Sequence, residues 1–188
     1  MGWERKRGKL MELNRWLRGE NTSFTTVEGD VRAIHPIGGA PAIHYVITLD
    51  SDTQLPPGAA KKLVGAMSHP LNQPRFKDNR VTGGYVLMQP RVGVALMSAN
   101  QTWYSRIFAN SPGIDPYATA ASDVYQDLFG EGSFTGKGIY ELTAFESCLA
   151  DAFPENHILS HDLIEGCHSR VGLVSDVEVI DGFPSRYE

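Results

Sequence analysis

The spacing of apolar residues predicts a chain in which helices and strands follow one another. Leu10, Leu13, Trp16 and Leu17 recur at helical spacing, which indicates an amphipathic helix over residues 3–18. Similar patterns predict helices over residues 59–67, 96–109, 118–129 and 142–150, and one that Ser160 caps and Gly172 ends.

Short runs of β-branched and aromatic residues predict the strands. The clearest run covers residues 44–49 and ends abruptly in polar residues. Further strands are expected over residues 23–28, 81–91 and 173–180. Polar segments with glycine or proline predict loops over the rest of residues 20–41, and over residues 69–79 and 111–117.

Composition narrows the class of protein. Among 188 residues, 41% are hydrophobic and 21% are charged, as in soluble globular domains. The net charge of −5 argues against binding to nucleic acid, and no apolar run is long enough to span a membrane. Without a signal peptide or a disulfide framework from Cys148 and Cys167, a reduced cytoplasmic setting is expected. The chain begins directly in a predicted helix and stops without a closing element, so residues 1–188 are expected to be a single domain cut from a larger protein.

Two carboxylates, Asp50 and Asp52, follow the 44–49 strand one residue apart. Open α/β sheets bind ligands at the carboxyl ends of their strands. Paired carboxylates both stay ionised most easily with a cation between them, so this is a candidate Mg²⁺ or Mn²⁺ site for substrate phosphates. The alternative is a solvated turn closed by residues 56–58. A calcium loop is excluded, because Gln54 and Leu55 stand where Asp or Asn and Gly are required.

A glycine-rich run over residues 130–138 implies a backbone that turns sharply or approaches a ligand closely. It is not a P-loop, because Glu131 and Gly138 stand where that motif needs Gly and Ser or Thr. A sugar or diphosphate contact and a tight structural loop both remain open. Arg91 ends the preceding strand and can bind a phosphate or sugar hydroxyl, or pair with a surface carboxylate.

Further polar side chains gather near the last predicted helix. Asp162 and Glu165 lie three positions apart and therefore share one helical face. A zinc site formed by His161, Glu165, Cys167 and His168 is disfavoured, because the spacing is neither His-Glu-x-x-His nor Cys-x-x-Cys.

These motifs occur in the order found in a known group of enzymes. Gly8-Lys9 with Asn14, and residues 49–53, 89–91, 130–140 and 160–162, resemble the processive inverting glycosyltransferases of the GT-A type, the cellulose-synthase-like group. The runs YQDLFGEGSF (125–134) and LSHDLIEG (159–166) resemble the glycosyltransferase region of bacterial cyclic β-1,2-glucan synthases. The resemblance implies an α/β architecture: an incomplete GT-A, Rossmann-like fold with a mixed sheet flanked by helices.

The resemblance also implies a reaction. Such enzymes transfer glucose from UDP-glucose to the 2-hydroxyl of a growing β-glucan acceptor. Asp50 and Asp52 would hold Mg²⁺ or Mn²⁺ on the UDP diphosphate, and Asp162 matches the general base. Lys9 matches a lysine near the uridine, and Lys137 falls on the donor side. The remaining matches to the cleft are Gln89, Arg91, Gly136, His161 and Glu165.

The chain also departs from the family pattern. His161 stands where the cellulose-synthase pattern usually has Glu. The Gln-x-x-Arg-Trp motif and the upstream uracil-binding half are missing, so residues 1–188 match the central and C-terminal part of the transferase domain. The isolated chain is therefore expected to be weak or inactive. Whole family members are large and membrane-embedded, which implies a place on the cytoplasmic face of the bacterial inner membrane beside the rest of such a synthase.

Two other functions stay open at this point. One is a non-catalytic module that keeps the fold and binds carbohydrate or a partner chain. The other is a metal-dependent hydrolase, which needs a third ligand converging on Asp50 and Asp52.

Overall fold

The computed structural model describes residues 5–31, 34, 42–78, 80–95, 100, 102–108, 124–149, 152–153 and 161–182. Within them the helices are α1 (Arg5–Leu17), α2 (Ala59–Ser68), α3 (Trp103–Phe108), α4 (Val124–Phe129), α5 (Leu142–Leu149) and α6 (Asp162–Ser169). The strands are β1 (Tyr45–Thr48), β2 (Arg75–Lys77), β3 (Arg80–Gly83), β4 (Leu87–Val94), β5 (Gly138–Glu141) and β6 (Val171–Asp181).

The main sheet has the strand order β1-β5-β4-β6, while β2 and β3 form a separate hairpin. β5 is antiparallel to both β1 and β4, and β4 is parallel to β6. It follows that β1, β4 and β6 run in one direction, and their carboxyl ends share one edge of the sheet with the start of β5. This edge is where an α/β sheet most often binds its ligand.

The sheet buries both of its faces, because successive strand residues point to opposite sides. Leu87 and Tyr140 join a core cluster that α1 and α5 complete, whereas Met88 and Ile139 join a second cluster under α2. Leu63 of α2 is fully buried there, and burying such a side chain stabilises the fold by about 1.5–3 kcal/mol. Helices therefore cover both faces and leave the carboxyl edge as the place for a site.

Buried polar contacts hold α1 against the rest of the fold. The Tyr140 hydroxyl donates to Asn14 Oδ1 over 2.7 Å, and Asn14 Nδ2 donates to Glu146 Oε1 of α5 over 2.8 Å. Asn14 itself is fully buried, so losing either partner would leave an unsatisfied polar group inside the protein. These contacts connect α1 to β5 and α5, and α1 in turn reaches the carboxyl edge of the sheet.

The predicted α/β class and the mixed sheet flanked by helices are confirmed, whereas the GT-A subtype stays a prediction. The helices expected at 3–18, 59–67 and 142–150 correspond to α1, α2 and α5. α3 lies within the helix predicted over residues 96–109, and α4 lies within the helix predicted over residues 118–129. Parts of these predictions, and the whole of the predicted 111–117 loop, lie outside the described residues. The positions concerned are residues 96–99, 101, 109–123 and Ser160.

Two strand predictions were wrong. Residues 23–28 form no strand, and Ser23 N–H donates to Glu12 Oε2 over 3.0 Å instead of to a neighbouring strand. The strand expected over 81–91 is divided at Gly84, which has φ 68° and no room for a side chain beside the Gln73 carbonyl. The loop predicted over 69–79 contains β2, which pairs with β3 to form a hairpin.

The end of the last helix was also misplaced. α6 ends at Ser169, and Arg170 then takes a φ of 51°, so the chain turns at once into β6. Gly172 lies inside that strand, where a Cβ atom would come within 2.9 Å of the Tyr85 ring. This glycine therefore permits close packing of the strand and does not terminate the helix.

Candidate active site

Two lysines converge on Asp50 where the chain leaves β1. Thr53 N–H donates to the Asp50 carbonyl over 3.2 Å, which forms a tight turn at the sheet edge. Lys6 Nζ of α1 lies 2.6 Å from Asp50 Oδ1. Lys137 comes just before β5, and its Nζ lies 3.3 Å from Asp50 Oδ2. Burial raises the pKa of the Asp50 carboxyl, but the Lys6 and Lys137 contacts outweigh burial and lower that pKa below its usual value.

A third carboxylate, Asp181, ends β6 at the same edge. Its Oδ2 accepts from Lys137 Nζ over 2.6 Å, and its Oδ1 accepts from the Thr53 hydroxyl over 2.6 Å. Burial lowers the pKa of Lys137, but its contacts with Asp181 and Asp50 outweigh burial and raise it. Lys137 is therefore a charged bridge between the ends of β1 and β6.

Asp52 is the exposed member of the acidic pair. It lies beside the residue that follows β6, since a Cβ atom at Gly182 would come within 3.7 Å of Asp52 Cβ. Carboxylate oxygens of this kind suit the hard cations Mg²⁺ and Mn²⁺, and the Asp52 side chain is exposed to solvent. The donor chemistry of the edge thus fits a divalent cation, although Asp50 is engaged with two ammonium groups.

Asp162 lies on the other side of the glycine-rich run. Gly136 has φ 84°, and a Cβ atom there would come within 2.7 Å of Asp162 Oδ1. The Gly136 carbonyl accepts from Lys6 Nζ over 2.8 Å, and this same ammonium also contacts Asp50. One lysine and one glycine therefore connect the predicted base to the predicted metal-binding carboxylate.

Behind Asp162 lies a buried group of charges. His161 Nδ1 is 3.2 Å from Asp162 Oδ1 and 3.3 Å from Glu165 Oε2, and Arg7 Nε is 3.7 Å from Glu165 Oε1. Burial lowers the pKa of His161, but the carboxylates of Asp162 and Glu165 outweigh burial and raise it to about 9. His161 is thus a cation at neutral pH.

Other predicted site residues have different surroundings. Gln89 is buried, and its Oε1 accepts from Thr135 N–H over 2.9 Å, which holds the glycine-rich run against β4. Arg91 lies 3.7 Å from Glu178, as in the alternative of a surface ion pair. Lys9 is exposed on α1, and the lysine that reaches Asp50 is Lys6. The proposed ligand contacts of Gln89, Arg91 and Lys9 stay predictions.

Sequence reasoning missed Lys6, Arg7 and Asp181. Asp181 carries a readable signal, because it ends a predicted strand as Asp50 follows one, and strands that run in parallel bring such ends together. Lys6 and Arg7 carry no such local signal, since only the docking of α1 onto the sheet brings them to the cleft.

Fold and site together define an α/β domain whose carboxyl edge holds three carboxylates, of which Asp50 and Asp181 are bridged by Lys137, with a fourth at a helix start. The chain is 50% identical over 192 residues to NdvB of Rhizobium meliloti strain 1021, a cyclic beta-(1,2)-glucan synthase, and the whole chain is matched. The predicted resemblance is therefore confirmed: the chain is related along its whole length to a region of such a synthase. The match covers 6% of NdvB.

No protein-family model matches the chain. In the part of the chain that the structure describes, no helix has both the length and the apolar character needed to cross a bilayer.

Proposed function

We propose that the chain is the core of an inverting glucosyltransferase, which transfers glucose from UDP-glucose to a growing β-1,2-glucan. The observation that carries the proposal is the link from Asp50 through Lys6 and Gly136 to Asp162. It supports a cleft with a donor side and a base side. The identity with a cyclic glucan synthase supports the choice of reaction.

The donor side is the edge formed by β1, β6 and the start of β5. Asp50 and Asp52 would hold Mg²⁺ or Mn²⁺, and the ion would offset negative charge on the leaving diphosphate. Lys6 and Lys137 turn from the carboxylates towards the phosphates when the donor binds. The contact with Asp50 favours Lys6 over Lys9 for this role.

The base side is Asp162 at the start of α6. Its carboxylate takes the proton from the acceptor hydroxyl as that oxygen attacks the anomeric carbon opposite the diphosphate. A single displacement inverts the anomeric centre, so an α-linked donor gives a β linkage. Gly136 leaves the space that Asp162 occupies, and Gln89 holds the loop that carries Gly136.

The substitution Asp162→Asn tests the base role in the intact protein that carries this chain. We expect glucosyl transfer from UDP-glucose to fall roughly 10²–10⁴-fold, the usual effect of losing a general base. Asp176→Asn, an exposed carboxylate on β6, is the matched control. Turnover close to that of the unchanged protein in Asp162→Asn contradicts the proposal.

The wider setting is part of the proposal. We place the domain, of GT-A type, on the cytoplasmic face of a membrane-embedded synthase whose remainder completes the uracil pocket. Calorimetry with UDP and Mn²⁺ on the intact protein separates this proposal from a non-catalytic carbohydrate-binding module. Metal-dependent binding that Asp52→Ala abolishes supports the transferase, and carbohydrate binding without it supports the module.

A further inference from the structure

The buried charges behind Asp162 have no role in the reaction as proposed so far. His161, Glu165 and Arg7 have side chains that are only 10%, 7% and 4% exposed. Charges are rarely taken out of water to this extent unless they are paired, because desolvation costs several kcal/mol per ion. Because these side chains are buried, they do not serve to keep the protein surface soluble, and their charges need another explanation.

The ion contacts of this group alternate in charge. Two cations, His161 and Arg7, face two carboxylates, Asp162 and Glu165, along the order Arg7–Glu165–His161–Asp162. The guanidinium of Arg7 also lies 5.3 Å above the Phe153 ring, which holds the far end of the series in place. Asp162 is the member that reaches the cleft, with a side chain 30% exposed.

His161 is the member of the group that contacts two carboxylates. Its buried Nδ1 lies within 3.3 Å of both Asp162 and Glu165, but it is aligned for a hydrogen bond with neither. The contact is therefore an electrostatic one between an imidazolium and two carboxylates. It holds the Asp162 carboxylate at the position where Gly136 has left space for it.

We infer that His161 is a positioning residue that holds the Asp162 carboxylate against Gly136 in the orientation that accepts the acceptor's proton. Glu165 fixes His161, and Arg7 balances the charge of Glu165. This inference rests on the proposed function, since it needs Asp162 to be the base. Misplacing a reacting group by about 1 Å can cost roughly 10²-fold in rate.

A double-mutant cycle tests the inference in the intact protein. We expect His161→Gln to lower kcat for glucosyl transfer about 10- to 100-fold, with the KM for UDP-glucose unchanged. In an Asp162→Asn background the same change should have no further effect, because His161 acts through that carboxylate. His44→Gln, an exposed histidine before β1, is the control and should leave both constants unchanged.

A second variant covers the case in which His161→Gln does not fold. His161→Asn places a neutral amide near the position of the imidazole Nδ1 and removes the charge that holds Asp162, so it should lower kcat and also lose its effect beside Asp162→Asn. A full further loss in the Asp162→Asn background, or no loss in kcat for a folded variant, overturns the inference.

Two other outcomes are informative. Turnover unaffected by Asp162→Asn itself overturns the proposed function, and a fall with Asp162→Asn but not with His161→Gln overturns only the role of His161. Calorimetric binding of Mn²⁺ or Zn²⁺ that His161→Gln abolishes shows that His161, Asp162 and Glu165, whose ligand atoms lie within 4.8 Å of one another, are metal ligands. That result also overturns the inference.

Discussion

The two sides of the cleft are built from similar charges but differ in their access to water. On the donor side, Lys6 and Asp50 keep 32% and 38% of their side chains exposed. On the base side, Arg7 and Glu165 keep only 4% and 7%. Exposed ion pairs contribute little and exchange partners easily, whereas breaking a buried pair leaves an uncompensated charge.

This difference fits the two tasks. A ligand with its own phosphates would draw Lys6 away from Asp50 at small cost, because that pair is part-exposed, whereas moving the more buried Lys137 away from Asp50 and Asp181 would cost more. The proposed base side would gain nothing from such exchange, because a general base at Asp162 would need to keep one orientation through every turnover. Exposure thus separates the part of the cleft that binds from the part that positions.

The largest expected effect is on the stability of the base side. Glu165→Gln removes a buried carboxylate that contacts both the Arg7 guanidinium and the His161 imidazole, so we expect the free energy of unfolding to fall by about 3–5 kcal/mol. Glu20→Gln removes the exposed pair between Arg18 and Glu20, whose atoms are 3.4 Å apart, and should cost at most about 1 kcal/mol. Urea unfolding of both variants measures the contrast, and equal losses would contradict it.

The next effect concerns the space that Gly136 leaves for Asp162. Gly136→Ala puts a Cβ atom 2.7 Å from the Asp162 carboxylate, and we expect a loss of turnover of about 10²-fold from the displaced base. Gly58→Ala is the matched control, because Gly58 has φ 83° and no neighbour within 4 Å of a Cβ atom. Both variants carry similar backbone strain, so the decrease in melting temperature should be similar in the two. Gly58→Ala should nevertheless keep its activity.

The third effect is a dependence of stability on pH. His161 has a pKa raised from 6.5 to about 9 by Asp162 and Glu165, against the opposing effect of its burial. Its stabilising effect is therefore complete below pH 6.5 and is lost as pH rises through about 9. A shift of this size corresponds to about 3 kcal/mol.

A comparison with His161→Gln isolates that contribution. The difference in the free energy of unfolding between the unchanged protein and His161→Gln should be largest at pH 6 and should shrink towards pH 9.5. A difference that stays constant with pH would contradict the charged state of His161.

The sequence was enough to predict single site residues, but not the contacts between residues that lie far apart in the chain. Asp50 was found because it follows a strand whose pattern is visible over a few residues, and Asp162 because it matches the general base of the family that the motifs resemble. Lys6 meets Asp50 across 44 residues, and Lys137 meets Asp181 across 44 residues. Such pairs depend on how α1 docks and which strands are neighbours, and neither is written in the local periodicity.

The fold shows the same division. An apolar run predicted β1 and helical spacing predicted α1, α2 and α5, because burial imposes those periods on the sequence. The breaks at Gly84 and Arg170 were missed, since each depends on a close approach or a backbone turn that only the neighbouring chain requires.

The smallest expected effect on stability lies on the donor side. Lys6→Met should change the free energy of unfolding by less than about 1 kcal/mol, because its pair with Asp50 is part-exposed. The same variant should weaken binding of UDP with Mn²⁺ about tenfold, since a charged hydrogen bond to phosphate is lost. Lys61→Met, an exposed lysine on α2, is the control for the loss of one positive charge.

Lys9→Met decides which lysine of α1 serves the donor. If the uridine-side role belongs to Lys9 alone, calorimetry will show weaker UDP binding in Lys9→Met and not in Lys6→Met. A loss confined to Lys6→Met assigns the role to the lysine that already holds Asp50, and it ties donor binding to release of that carboxylate. In the proposed reaction, the ammonium would then contact the donor phosphates, and Asp50 would be free to hold a metal ion. The exposure of this pair is what makes that exchange cheap, and the buried pairs behind Asp162 have no equivalent freedom.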